Sequence, residues 1–161
     1  MKILILTALL TLLMTGQAYA ETPVAGISVT LDQVKGLDIC PQGEKEVLYR
    51  IVEAEATGEC IEAKKNVASV ILNRVHSKDF PNTITGVVFQ KHQFSPISDK
   101  RYWKVNVTED TIQAVDEIFE NGATTEALYF VNLNNTSRKM KNWFKKLEYL
   151  FTDPSGHSFY K

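Results

Sequence analysis

From residue 44 onward, apolar positions along the chain recur at helical spacing for long stretches, then at strand spacing near the end. Leu48, Ile51, Val52 and Glu55 fall at i, i+3, i+4 and i+7, which predicts a helix over 44–57 with those four side chains on one face. Glu46, Arg50 and Glu53 share another face and are expected to be solvated, and Gly58 can end the helix. A second helix is predicted over 61–75, with Ala63, Val67, Val70, Ile71 and Arg74 as its stripe and Ala68 and Leu72 widening it. So wide an apolar surface predicts a central, well-covered helix. Phe80-Pro81-Asn82 breaks the pattern, and residues 83–90 read as a short helix. Residues 91–106 are polar and aromatic without a period and predict a long loop, a length that in compact domains often carries function. Asn106 or Thr108 can cap a further helix bearing Ile112, Val115, Ile118 and Phe119 and ending near Asn121-Gly122. Strand character follows over 127–132, 147–151 and 157–160, with Asp153-Pro154-Ser155-Gly156 as the turn between the last two. The expected fold class is α+β: a mostly helical domain with a small β-sheet near the C-terminus.

The start of the chain obeys a different rule. Lys2 precedes an apolar run over 3–14, and Ala18-Tyr19-Ala20 follows. That layout predicts a signal peptide over 1–20, cleaved after Ala20, then an N-terminal arm over 21–43 and a domain over 44–161. The run is shorter than the ~20 residues of a membrane span. The expectation is an exported protein, in the cell wall, periplasm or medium, with no stable membrane insertion after cleavage. Composition agrees with one globular domain: 161 residues, 44% apolar and 23% charged. A net charge of −1 gives no basic footprint for nucleic acid. Export permits a disulfide between Cys40 and Cys60. The predicted helix between them, about 20 Å long, leaves two buried free thiols as an equal alternative.

Glu55 is the most informative residue, because it lies on the apolar face of its helix. Burial disfavours the charged carboxylate and raises its pKa. The negative end of the helix dipole acts in the same sense. A carboxyl so placed suits general acid catalysis near neutral pH, although a buried Glu with a structural partner would give the same pattern.

Several motifs then fall in order. Glu53-Ala54-Glu55-Ala56-Thr57-Gly58-Glu59 is followed by Val67-Ala68-Ser69-Val70-Ile71-Leu72-Asn73-Arg74-Val75 and Phe80-Pro81-Asn82-Thr83-Ile84. Gln93-Phe94-Ser95, Ala127-Leu128-Tyr129-Phe130-Val131-Asn132 and Gly156-His157-Ser158-Phe159-Tyr160 complete the series. Over about residues 44–161 the chain resembles the SleB/CwlJ-type bacterial cell wall hydrolases, whose best-known members are spore cortex-lytic enzymes. The family often has Arg at the place of Thr57 and Pro at that of Cys60, and longer relatives carry a separate peptidoglycan-binding domain. The resemblance implies a lysozyme-like, lytic-transglycosylase-like fold acting on peptidoglycan glycan strands. It implies Glu55 as the catalytic acid and Glu59 as the second acid of the same motif. Gln93, Phe94, Ser95, Tyr129 and Asn132 would border the glycan groove, and His157 would contact substrate or cap its turn.

Glycoside cleavage usually requires two carboxyls, and here only one has a clear role. In N-acetylmuramic acid the 6-hydroxyl can attack its own anomeric carbon and give a 1,6-anhydro product. One carboxyl then serves as acid and afterwards as base, so a lytic transglycosylase is the expected activity. The alternatives are a hydrolase in which Glu59 or Asp99 directs water, and a non-catalytic peptidoglycan-binding module. Tyr102 and Trp103 could stack on sugars or anchor their loop. Trp143 reads as a core residue, and Tyr129 as the likelier core filler of the strand pair Tyr129 and Asn132, which a regular strand sends to opposite faces. His76, His92 and His157 are scattered, without paired-ligand spacing, so no metal and no cofactor is expected. Arg138, Lys139, Lys141, Lys145 and Lys146 form the one basic run, a solvated face or a contact for an anionic polymer.

Overall fold

The structure, a computed structural model, describes residues 42–161. The predicted signal peptide, nearly all of the arm and Cys40 lie outside the described residues, and with Cys40 the predicted disulfide. Cys60 is exposed.

Among the described residues, five helices precede the first strand. They are α1 (Gln42–Glu55), α2 (Ile61–His76), α3 (Ile84–Val88), α4 (Ser95–Ser98) and α5 (Glu109–Asn121), with a 3-10 turn at Arg101–Trp103. Strand β1 (Tyr129–Asn132) runs into a second 3-10 turn at Leu133–Asn135. Helix α6 (Arg138–Phe144) and strands β2 (Tyr149–Thr152) and β3 (His157–Tyr160) close the chain. The sheet is antiparallel in the order β1-β3-β2. Tyr129 pairs with Tyr160 and Asn132 with His157. An irregularity between Tyr149 and Phe151 adjusts the β2 register.

The predicted stripes meet in one core. Leu48, Ile51 and Val52 of α1, Val67 and Ile71 of α2, Val87 and Val88 of α3, and Val115 and Ile118 of α5 are buried together. Helix α2 is the central one, as its wide apolar surface predicts. The same helix buries Val70 against Ala127 and Phe159, which ties the sheet to the helices. Helix α1 stops after Glu55, and the chain reverses through Gly58, whose φ of +76° is a left-handed conformation that glycine adopts without strain. At α3 the Thr83 hydroxyl accepts from the Gly86 amide at 3.0 Å. A Cβ on Gly86 would lie 2.7 Å from Pro81 Cβ, so only glycine fits there.

Three expectations change. Glu53 is not solvated: it is 3% exposed. Its Oε2 accepts from the Thr108 amide at 3.2 Å, the Thr108 hydroxyl at 2.7 Å and the Thr111 hydroxyl, with Lys64 Nζ at 3.5 Å. Thr108 does occupy the N-cap position of α5, but its hydroxyl serves Glu53 rather than the helix. Residues 91–106 are not a continuous loop. Pro96 sits in the first turn of α4, where its missing N–H costs nothing, and Arg101 opens the 3-10 turn beyond it. The basic run is also partly helical: Arg138, Lys139 and Lys141 lie in α6, which Ser137 starts by accepting from the Met140 amide at 3.3 Å, while Lys145 is its C-cap and Lys146 lies beyond.

Candidate active site

A cleft of about 1230 Å³ runs between the end of α1, the 90–101 segment, β1 and α6. It exceeds the range of a usual small-molecule pocket and has room for an elongated ligand. Glu55, Glu59, Gln93, Phe94, Ser95, Tyr129, Asn132 and His157 all line it. Residues far apart in sequence are thus brought to one groove.

Glu55 is the last residue of α1 and is half-buried, and no protein group among the described residues hydrogen-bonds its carboxyl. Burial pushes its pKa up to about 7. The Arg101 charge opposes that rise, the Asp99 charge adds to it, and Arg74 opposes it more weakly. Near neutral pH Glu55 is therefore shared between its acid and base forms. Glu53, two residues earlier, has the opposite fate. Burial would raise it, but hydrogen bonds from Thr111 and Thr108 and the Lys64 charge outweigh that and hold it below the usual carboxylate range. The α1 sequence thus turns one glutamate into a tied carboxylate inside the core and another into an untied acid at the cleft.

Two arginines frame Glu55. Arg101 Nη1 donates to the Ala54 carbonyl at 2.6 Å, Nη2 to Ser95 Oγ at 3.1 Å, and Nε to Asp99 at 2.9 Å. It fastens the 95–101 segment to the carbonyl end of α1, where a cation also complements the helix dipole. Arg74 is 4% exposed. Its Nε donates to the Leu128 carbonyl at 2.7 Å, and its guanidinium lies 5.0–5.5 Å from the rings of Phe80, Phe94 and Tyr129. Nη1 is buried without a partner, and burial lowers the Arg74 pKa to about 10, with Tyr129 and Glu55 opposing. Neither arginine was singled out as a site residue from the sequence. A cation on the apolar stripe of α2 was the available signal for Arg74, the same kind of signal that marks Glu55.

The remaining predicted residues differ in how they meet the cleft. Gln93 and Ser95 are exposed on its wall. Phe94 is 3% exposed and belongs to the core, so its ring supports Arg74 rather than facing solvent. Tyr129 is half-buried, edge-on to Trp143 at 5.2 Å. Tyr129 and Asn132 both reach the cleft, because the strand gives way at Asn132 to a 3-10 turn, where Asn132 Oδ1 accepts from the Asn134 amide at 3.0 Å. His157 packs edge-on to Phe130, with Nδ1 3.8 Å from the buried Asp153 Oδ2; Asp153 Oδ1 accepts the His157 amide at 2.9 Å. Glu59 lines the cleft just after the turn. Asp99 does not line it, and both its oxygens are taken by Arg101. Trp143 is 39% exposed and lines the cleft instead of filling the core. Tyr102 is a buried anchor, and Trp103 is exposed away from the cleft.

A family model described as Cell Wall Hydrolase matches residues 58–160. Glu55 lies just ahead of that stretch, so its place in the site comes from the geometry above. A spore cortex-lytic enzyme of Oceanobacillus iheyensis is 33% identical over 91 residues, 56% of this chain and 33% of the relative. One of Bacillus subtilis is 37% identical over 87 residues, 53% of this chain and 28% of the relative. The chain spans about a third of the length of these curated relatives. The solved catalytic domain of the germination-specific lytic transglycosylase SleB from Bacillus anthracis superposes with a TM-score of 0.66 at 30% identity. That match covers 74% of this chain and 95% of that one. The SleB catalytic domain of Bacillus cereus gives a TM-score of 0.65, also at 30% identity, covering 74% of this chain and 91% of that one.

Proposed function

The chain belongs to the cell wall hydrolase family, and from that premise we propose that it is a peptidoglycan-cleaving glycosidase of the lytic transglycosylase type, with Glu55 as its single acid and base. The observation that carries the reading is Glu55 itself: untied by any described protein group, at the edge of an elongated cleft, and poised near neutral pH. Protonated Glu55 gives its proton to the glycosidic oxygen on the leaving side of N-acetylmuramic acid, and the anomeric C–O bond breaks. The sugar's own 6-hydroxyl then bonds to the anomeric carbon, and its proton passes to Glu55. The products are a shortened strand and a 1,6-anhydromuramic end, with Glu55 again protonated. No metal or cofactor enters this sequence. While Glu55 is ionised between the two proton transfers, the Arg74 and Arg101 charges stabilise it.

A water-using hydrolase would place a second carboxyl across the cleavage point. Of the two candidates, Glu59 lines the cleft and Asp99 is committed to Arg101. That difference keeps Glu59 as the residue to test for the second reading. Gln93, Ser95, Tyr129, Asn132 and His157 would bind the strand along the groove. The predicted signal peptide over 1–20 would deliver the protein to a wall outside the cytoplasm, and among the described residues no helix is long and apolar enough to cross a membrane. Loss of turbidity of a purified peptidoglycan suspension tests the enzyme reading. The unmodified protein should clear the suspension and Glu55→Gln should not. Binding without clearing by both would make this a binding module instead.

A further inference from the structure

The first turn of helix α6 runs against the helix dipole. Arg138 and Lys139 stand in its first turn, where the dipole favours anions, and no acid accompanies them. Lys141 and Lys145 form a like-charge i,i+4 pair, and Arg138 and Lys141 an i,i+3 pair, both repulsive. With Lys146 that makes five cations within 138–146 in a chain whose net charge is −1. Among the described residues none of the five makes an ion pair. Such a local conflict with the fold marks a place where the gain lies outside it. The same helix turns Met140 and Trp143 toward the cleft, 41% and 39% exposed, with Trp143 held edge-on by Tyr129 at 5.2 Å and Phe144 at 4.9 Å. One short helix therefore offers an aromatic surface to the groove and carries uncompensated positive charge outside the cleft lining, where only substituents projecting from a bound strand would reach it.

We infer that α6 is a binding rim for a polyanionic glycan: a sugar of the strand packs on Trp143 while carboxylates borne by the strand's lactyl and peptide substituents pair with Lys139, Lys141, Lys145 and Lys146. This deepens the proposed reading, since it makes the charged, substituted strand the ligand rather than a bare sugar chain. Exposed pairings of this kind are individually weak and screened by salt, so affinity comes from several acting together. Phosphate-bearing wall polymers have the same charge sign, and the test separates the two sources.

Sedimentation with insoluble peptidoglycan reads binding, using the mature chain carrying Glu55→Gln so that nothing is digested. The peptidoglycan is first stripped of phosphate polymers with hydrofluoric acid, and half of it is then converted to neutral amides at its carboxylates. Binding to the untreated carboxylates should fall about fivefold or more between 50 and 300 mM salt. Amidation should remove most of that salt-sensitive binding. Adding Lys139→Gln, Lys141→Gln, Lys145→Gln and Lys146→Gln together should weaken low-salt binding about tenfold. Binding indifferent to salt and to amidation would overturn the inference, as would binding only to material that retains its phosphate polymer. The salt and amidation arms need no lysine variant, so a misfolded variant leaves the test intact. Salt-sensitive, carboxylate-dependent binding that the four lysine substitutions weaken, together with an unmodified protein that clears no wall, would sustain this rim and sink the enzyme reading, so the two fail separately.

Discussion

Replacing Glu53 with Ala should unfold the domain more readily than any surface change in α1. Glu53 is 3% exposed, and its Oε2 accepts from the Thr108 amide, the Thr108 and Thr111 hydroxyls and Lys64. Removing it leaves Lys64, itself 2% exposed, with the Thr108 hydroxyl at 3.0 Å as its remaining partner. Breaking one side of a buried ion pair costs about 3–5 kcal/mol, and orphaned donors contribute within that figure rather than on top of it. For a domain of this size that is a fall in Tm of roughly 10–20 °C. Glu53→Gln keeps an acceptor oxygen and loses the charge, so it should cost less, about 1–2 kcal/mol. The folded Glu53 pKa lies below its unfolded value, so its stabilisation is present above the unfolded pKa, about 4.3, and is lost as pH falls through the folded value. Urea unfolding followed by circular dichroism at pH 7 and at stepped pH values below 5 measures both effects. Glu53→Gln should lack the part of the acid destabilisation that the unmodified protein shows from this group. A loss under about 1 kcal/mol for Glu53→Ala, or an unchanged acid profile for Glu53→Gln, would mean that Glu53 is not a stabilising buried carboxylate.

Glu55 should behave in the opposite way. Its folded pKa is raised to about 7, so ionising it in place destabilises the fold progressively as pH rises from about 4.5 to 7. Glu55→Gln should therefore be more stable than the unmodified protein at pH 8, by up to about 3 kcal/mol, and similar at pH 4; equal stability at both pH values would contradict this. With Glu55 as the proposed acid, the rate on peptidoglycan should fall above about pH 7, read as kcat/KM against pH. Arg74→Met should move that basic limb to higher pH and lower the rate, with Arg74→Lys intermediate, because the Arg74 charge favours ionised Glu55; a lowered rate with an unmoved limb would make Arg74 purely structural. Gly86→Ala should cost about 1–3 kcal/mol in thermal unfolding, since the new Cβ would meet Pro81 at 2.7 Å and the Thr83 cap at 2.8 Å; a neutral effect would mean that the 81–86 turn gives way.

The sequence carried the helices whose apolar stripes are their only strong pattern, α1, α2 and α5, and the three short strands whose turn residues bracket them. The half-buried position of Glu55 at the cleft was legible because a carboxyl on an apolar stripe breaks a simple rule. Glu53 was misread because its partners, Thr108 and Thr111, lie more than 50 residues away and leave no mark on local periodicity. Helix α6 was missed although it carries Met140, Trp143 and Phe144 at i, i+3 and i+4, because it is only seven residues long and its cations read as a solvated run; the Ser137 cap starts it. The 91–106 segment reads as loop because α4 and its 3-10 turn are too short to show a period. Arg101 holds them through the Ala54 carbonyl, Ser95 and Asp99. That the predicted groove residues share one cleft follows from topology, which pairs β1 with β3 and sets both beside the end of α1.

In the proposed mechanism Glu55 acts alone and the sugar's own hydroxyl is the nucleophile. Digestion of purified peptidoglycan in ¹⁸O-labelled water, with mass spectrometry of the released fragments, tests it directly. The expected products are 1,6-anhydromuramic ends carrying no label, formed by the unmodified protein and absent with Glu55→Gln. Reducing muramic ends carrying one ¹⁸O would contradict it and establish a hydrolase that activates water.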